Sequence, residues 1–394
     1  MMAMDARQAK GLAIFSDPTN INYVSDDLFT IKSQGGMGTY QVDYDGTKWK
    51  CNCPDFIKRE TDCKHIYAIK FYLQVNRKED QVKYSQNWTA YNKAQIDEGE
   101  IFDNLLRELV MVVPEPTQHM GRPRLSLQEQ IFCSVKKVYS QLSSRRASSL
   151  YRQAKEKECL SHTPHFNAVS KLLNKETVTP TLYNLIRLSA KPLTSLENDF
   201  GIDSSGFRTT SFGSFCVEKH KTKKQNIWLK AHISSGARTN IIADVKITDG
   251  NVNDTTQFKP LVIGTDEFFE IFEISADKAY SSKSNHEAVE NVGGKAFIPF
   301  KSNVTGKARG SSTWAKAFHF FQMFREEFDE HYHKRSNVES TFGAIKKKFG
   351  ETLKSKNRVA QENELLCKLL AYNITVLIHE MYENGITPSF QLNN

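Results

Sequence analysis

Residues 51–65 read CNCPDFIKRETDCKH and offer four soft or borderline donors, Cys51, Cys53, Cys63 and His65. Zinc favours such donors in a tetrahedron, and the pairs C-x-C and C-x-H let two short segments supply two ligands each. Four protein ligands close the coordination sphere, so the ion expected here is a structural Zn²⁺. The chain has 7 cysteines, and Cys133, Cys159, Cys216 and Cys367 are scattered singly. A secreted disulfide scaffold is denser and usually even in number, so these are read as reduced thiols.

A second chemistry rests on carboxylates. With 45 Asp and Glu in the chain, composition selects none, and context must. Asp203 follows an apolar stretch in Phe200-Gly-Ile-Asp-Ser-Ser-Gly-Phe207, where small neighbours leave it accessible. Asp277 closes the strand-like run Phe268–Ala276; Ser281-Ser282 then caps an expected helix ending at Gly293-Gly294, and 296–300 reads as another strand. In such a β-α-β unit, an acid at the carboxyl end of a strand stands where open α/β sheets place their sites. Glu339 falls on an expected helix with Tyr332, Arg335 and Lys346. At about 100° per residue the four side chains lie within roughly 60° of arc and span roughly 21 Å. That length suits contacts along a nucleic-acid backbone, with Arg335 and Lys346 on phosphates either side of Glu339.

The elements that must position these groups follow from local pattern. Thr39–Tyr44 alternates like a strand, Asp45-Gly46 signals a hairpin, and Lys48-Trp49-Lys50 returns towards Cys51. Ile66, Ala68, Ile69, Phe71 and Tyr72 have helical spacing, which makes the metal site part of a small ββα unit. The Pro- and Gly-rich stretch 113–124 reads as a linker, and its Gly121-Arg122-Pro123-Arg124 is either the core of an AT-hook or a plain basic turn. Ser126-Leu-Gln-Glu129 has the form of a capping box ahead of Ile131, Phe132, Val135 and Val138. Further helical patterns cover 148–157, 167–173 and 180–190; 228–232 and 240–247 read as strands. Leu365, Leu366, Leu369, Leu370, Leu377 and Ile378 place a closing helix in the core.

The 394 residues carry a formal net charge of +8 and 39% hydrophobic residues, which argues against wholesale disorder. No apolar run of about 18 residues occurs, so no membrane span is expected. The charged start MMAMDARQAK lacks the apolar stretch of a secretory signal, which makes the expected location cytoplasmic. Basic residues gather at Lys219, Lys221, Lys223 and Lys224, at 346–358, and at Lys136, Lys137, Arg145, Arg146 and Arg152. Three such groups favour nucleic acid over other polyanions.

The Cys/His run, with Cys-Pro-Asp at the second cysteine and Cys-Lys-His at the end, resembles the SWIM zinc finger over roughly residues 28–75. That resemblance implies binding to DNA or to protein without choosing between them. Tyr332-x2-Arg335-x3-Glu339-x6-Lys346 resembles the Y-R-E-K signature of DDE insertion-sequence transposases, and Asp203 and Asp277 are similar to that family's two aspartates. The likeness, over roughly 120–380, implies an α/β RNase H-like catalytic domain at 199–385; it would follow a SWIM-type finger at 1–85, a linker at 86–124 and a helical segment at 125–198, whose short helices with interspersed Lys and Arg suit either a DNA-binding domain or a helical spacer. It further implies Asp203, Asp277 and Glu339 as ligands of catalytic Mg²⁺ or Mn²⁺, transposon-end and target DNA as partners, a homodimer on synapsis, and nucleoid association. Relatives often carry His-Asp where this chain has Asn253-Asp254, which leaves the role of Asp254 open. Two other readings remain at this point: a transposase-derived DNA-binding protein without catalysis, and a metal-dependent nuclease without strand transfer.

Overall fold

The alternating run Thr39–Tyr44 forms the strand its pattern demands, within a larger sheet than a hairpin. The structure, a computed structural model, describes every residue except 1–5, 26–27, 35–37, 46–47, 77–86, 119, 122–123, 210–227, 308–309 and 391–394. The hairpin glycine Gly46, Arg122-Pro123 of the basic turn, Cys216 and the cluster Lys219–Lys224 therefore lie outside the described residues. The chain divides into two units, Met1–Ser85 and Gln86–Asn394.

The first unit comprises α1 (Ala6–Phe15), β1 (Ile21–Ser25), β2 (Leu28–Lys32), β3 (Thr39–Tyr44), β4 (Trp49–Cys51), α2 (Pro54–Arg59) and α3 (Lys64–Asn76). The strands form one antiparallel sheet in the order β1-β2-β3-β4. The expected ββα unit is present as β3, β4 and α3, but it is only part of the whole. Helix α1 lies against α3 so closely that a Cβ on Gly11 would stand 2.7 Å from Tyr67 Cβ and 2.9 Å from the Lys64 carbonyl, so only glycine fits. Ile14, Phe29, Ile31, Val42, Ile66 and Ile69 are fully buried between these helices and the sheet.

The second unit begins with α4 (Trp88–Val110), α5 (Leu127–Tyr139), α6 (Ser148–Glu156), α7 (Phe166–Leu173) and α8 (Thr179–Ala190). The segment 86–124, expected as a linker, thus holds a long helix that buries Phe102, Leu105, Leu106 and Leu109. Its apolar stripe is masked in the sequence by buried charges: Glu98 meets Lys348 Nζ and Tyr139 Oη, each at 2.6 Å, and Asp103 pairs with Lys136. At the expected capping box, Ser126 Oγ accepts from Glu129 N–H at 3.2 Å. The Glu129 carboxylate turns instead to Ser161 N–H, and Glu115 takes the N–H groups of Leu127 and Gln128.

There follow β5 (Asp199–Arg208), β6 (Trp228–Gly236), β7 (Ile242–Asp249), α9 (Thr255–Asp266), β8 (Glu273–Ala276), α10 (Lys283–Asn291), β9 (Lys295–Phe297), α11 (Ser312–Met323), α12 (Arg325–His333), α13 (Ser336–Phe349) and α14 (Arg358–Glu383). The sheet order is β7-β6-β5-β8-β9; β5, β6 and β7 are antiparallel neighbours, while β8 and β9 run parallel to β5. Helix α13 lies on the face carrying Gly201 and Ser235. Asp244, paired with Ser234, points to the opposite face, where it meets Arg187 of α8 at 2.7 Å and the backbone of α9 at Gly264. The sheet is therefore covered on both sides.

The expected seam between a helical domain at 125–198 and a catalytic domain at 199–385 does not appear as a break in the core. Buried Asn373 of α14 accepts from Ile242 N–H at 3.0 Å and donates to Ile242 O at 2.8 Å and Ser189 Oγ at 2.9 Å, joining α14, β7 and α8. Helix α14 is buried along almost its whole length, as its leucines require.

Candidate functional site

In the first unit, β4 ends at Cys51 and α2 starts immediately after Cys53, whose Sγ accepts from Phe56 N–H at 3.4 Å. Cys63 and His65 flank the start of α3. All four residues are buried, and their donor atoms lie within 4.8 Å of one another. His65 Nδ1 is 3.8 Å from Cys51 Sγ and 3.9 Å from Cys63 Sγ. Donors 2.0–2.3 Å from a tetrahedral zinc ion stand about 3.5–3.8 Å apart, so the cluster has the spacing of a zinc site with little adjustment. The hydrogen bond from Cys51 pulls the Cys63 thiol down to about 4 and pushes Cys51 up; burial pushes Cys53 up. Three cysteines and an imidazole are a set that a dication completes by displacing the thiol protons.

In the second unit the three acids come from separate elements. Asp203 lies midway along β5. The parallel register pairs Ile202 with Ala276, so its continuation by one residue sets Asp277 beside Asp203 where β8 ends. Asp277 Oδ1 accepts from Lys278 N–H at 2.6 Å, which fixes the turn leaving the strand. Glu339 lies in the first turn of α13 and is exposed. Three consecutive contacts lay that helix along one face of β5. Gly201 admits Val338, Asp203 Oδ2 accepts from Arg335 Nη1 at 2.9 Å, and Ser205 Oγ accepts from Lys346 Nζ at 2.8 Å. Arg335 Nη2 also donates to Glu339 Oε1 at 2.6 Å, so one guanidinium links Asp203 to Glu339.

Burial pushes the Asp203 carboxyl above its ordinary value, aided by the charges of Asp277 and Glu339 and opposed by Ser204 N–H and Arg335. The three acids thus share one electrostatic environment. Of them only Asp203 and Glu339 contact Arg335, and among the described residues only the Cys/His set draws three or more such donors within 4.8 Å of each other.

The expected single helix from Tyr332 to Lys346 is interrupted. Tyr332 is the penultimate residue of α12, and 334–335 form a tight turn before α13, with Arg335 N–H bonded to Tyr332 O and Val338 N–H to Arg335 O. These three-residue bonds tighten the helix locally, so the arc drawn from Tyr332 at a constant 100° does not apply across the turn. The Tyr332 ring lies near the Arg335 guanidinium, 5.8 Å from centroid to Cζ. Lys334 fixes the turn: its Nζ donates to Asp199 at 2.7 Å and Glu273 at 2.8 Å, which are register partners on β5 and β8.

Around Asp254 the structure supplies partners that sequence inspection missed. Asp254 Oδ1 accepts from Lys230 Nζ at 2.8 Å and stands 3.6 Å from Nδ1 of buried His232. Burial pulls His232 down to about 4. Asn253, in the place of the family's histidine, accepts from Thr255 N–H at the start of α9. Lys230 and His232 are two apart on β6, and that period-two placement on one sheet face was the available signal. Tyr280 is buried nearby; burial and then the charges of Asp203 and Asp254 push its hydroxyl up.

Residues 195–374 match the family model of the transposase DDE domain. Residues 40–74 match that of the SWIM zinc finger. The chain therefore carries a transposase DDE domain, preceded by a SWIM zinc finger whose Cys/His cluster suits Zn²⁺. A solved structure titled as the cryo-EM structure of a piggyBac transposase synaptic complex with hairpin DNA is similar at 9% identity, over 74% of this chain and 75% of that chain, with a TM-score of 0.34. A likeness that slight carries no argument here. Among the described residues no helix is long and apolar enough to cross a membrane.

Proposed function

We propose that the protein is a DNA transposase that cuts at transposon ends and joins the freed 3′-hydroxyl to target DNA. Asp203, Asp277 and Glu339 are the metal ligands in this reading, and DNA is the partner. The observation that carries it is the meeting of Asp203 on β5 and Glu339 on α13 at Arg335, with Asp277 set beside Asp203 by strand register, inside a transposase DDE domain. The sheet order, three antiparallel strands followed by two parallel ones with helices on both faces, supports reading the domain as RNase H-like.

Asp203, Asp277 and Glu339 would hold hard ions such as Mg²⁺ or Mn²⁺, which would supply activation of the attacking oxygen and stabilisation of the departing one. The chain's own residues hold and orient the reacting groups. In this reading Asp203 would be the central ligand, and Asp277 and Glu339 would complete the site. Arg335 and Lys346, already aligned along β5, receive phosphates flanking the scissile one. In the first step water attacks phosphorus, the P–O3′ bond breaks, and the end is left with a 3′-hydroxyl opposite a 5′-phosphate. In the second, that hydroxyl attacks a target phosphodiester, forming a new P–O3′ bond and releasing a target 3′-hydroxyl. Neither step needs a covalent enzyme intermediate, and Tyr332 is assigned to packing on Arg335. Synapsis of two ends calls for a homodimer.

The test is incubation of the purified protein with Mg²⁺, duplex DNA bearing the element's own ends, and a target plasmid. Cleaved ends together with joined products support the proposal. Cleavage without joining leaves a nuclease, and binding without cleavage leaves a DNA-binding protein.

A further inference from the structure

Two of the basic groups visible in the sequence converge in the fold, at residues that the three acids do not include. A cavity of about 530 Å³ opens between α5, α7 and the segment joining α13 to α14, lined by Lys137, Lys354 and Lys356 together with Ser144, Ser170 and Asn174. Among the described residues no carboxylate lines it. Among the described residues none of the three ammonium groups is ion-paired; Lys354 Nζ donates to the Gln141 carbonyl.

The segment presenting two of these lysines is held rigidly by buried side chains of α14. The Glu364 carboxylate accepts from Lys354 N–H at 2.8 Å and Ser355 N–H at 2.7 Å. Gln361 Nε2 donates to Ser355 O at 3.1 Å, and Lys368 Nζ donates to Gly350 O at 2.8 Å and Thr352 O at 3.0 Å. Leu353 N–H bonds Arg208 O and Arg208 N–H bonds Glu351 O, so the segment also continues from the end of β5. A preorganised loop carrying unpaired cations over a cavity with no acid is built to take negative charge.

Its position indicates which polyanion. From Asp203 to Arg208 is five strand residues, roughly 17 Å, and Lys346 on Ser205 stands along that line. The acids, Lys346 and the segment that runs from beside Arg208 into the lysine-lined cavity therefore follow one direction along β5, and the part of that path from Asp203 to Arg208 is about half of a duplex turn of about 34 Å. We infer that this cavity is a docking site for the phosphate backbone of duplex DNA, engaged on the far side of Lys346 from the three acids. The inference rests on the transposase reading above in that it takes DNA to be the substrate; the cavity itself holds and orients the duplex and takes no part in the chemistry.

The test measures binding of a labelled random-sequence duplex by fluorescence anisotropy over a range of KCl, without added divalent metal, so that cleavage plays no part. Lys137→Gln/Lys354→Gln/Lys356→Gln is compared with wild type and with a control of equal charge, Lys259→Gln/Lys295→Gln/Lys301→Gln. If each cavity lysine meets one phosphate, the triple variant lowers the slope of log K against log salt by about 2.7, so wild type loses about 40-fold more affinity than the variant over a fourfold rise in salt. Should the triple variant fold poorly, Lys356→Gln alone is expected to lower the slope by about 0.9. A cavity variant with the wild-type slope, or a control variant with an equal loss, overturns the inference and leaves the transposase reading standing. Wild-type protein that binds no duplex overturns both.

Discussion

Replacing Lys334 by Met tests whether the turn between α12 and α13 is held by charge. Lys334 donates to Asp199 at 2.7 Å and Glu273 at 2.8 Å. Such charged bonds can contribute about 1.5–3 kcal/mol each, but the lysine side chain is 36% exposed, so solvent screening reduces each to about 1 kcal/mol. The two carboxylates sit on paired positions of adjacent strands about 4.8 Å apart, and their exposed repulsion adds about 1 kcal/mol once the cation is gone. The sum, roughly 3 kcal/mol, corresponds to a fall in Tm of about 6 °C for a unit of this size. Its pH dependence has a fixed sign. Although burial pushes Glu273 up, hydrogen bonds from His331 and Lys334 hold its carboxyl below the ordinary value. That contribution is present above the unfolded carboxyl's pKa and is lost as the pH falls through the folded one. Thermal unfolding at pH 7 and in acid well below the ordinary glutamate value is thus expected to show a large difference between wild type and Lys334→Met, then a small one. A variant that melts within a degree of wild type at pH 7, or a difference that does not shrink in acid, would refute the reasoning.

Cys63→Ser is expected to lower bound zinc from one ion per chain to a substoichiometric level, measured by elemental mass spectrometry, and to speed amide exchange in β3, β4 and α3. Native protein that contains no zinc, with unchanged exchange in the variant, counts against the structural metal. His286 is buried, stacked on Phe300, with neither ring nitrogen partnered among the described residues, and burial pulls it down to about 4. Its neutral form stabilises the fold above the unfolded value of about 6.5, and this is lost as the pH falls towards 4. Wild type is therefore expected to lose up to about 3 kcal/mol more than His286→Phe between pH 7 and 4 in urea unfolding, and parallel pH profiles would remove histidine protonation from the explanation.

Period and spacing made the strands around Asp203 and Asp277, the helix of Glu339 and the four zinc donors legible, because each depends on a pattern within a few residues. Three things were not legible. Helix α4 showed only a weak pattern near Ile101–Leu106, because Glu98 and Asp103 interrupt its apolar stripe; their buried charges are paired with Lys348 and Lys136 from other elements, and Tyr139 also donates to Glu98. Strand β1 buries only its first residue, so it shows no alternation. The break after Tyr332 depends on Lys334 finding two carboxylates on different strands, a tertiary contact that leaves no local mark. The cavity of Lys137, Lys354 and Lys356 is hidden for the same reason, since its cations lie far apart in the chain.

The most direct measurement is single-turnover cleavage of end-bearing duplex DNA in Mg²⁺ by wild type, Asp203→Asn, Asp277→Asn and Glu339→Gln, with DNA binding measured in parallel. Each substitution is expected to slow cleavage about a thousandfold, the equivalent of about 4 kcal/mol in the barrier, while binding persists. Wild-type cleavage by any one of the three variants would contradict the assignment of these carboxylates to a shared metal site.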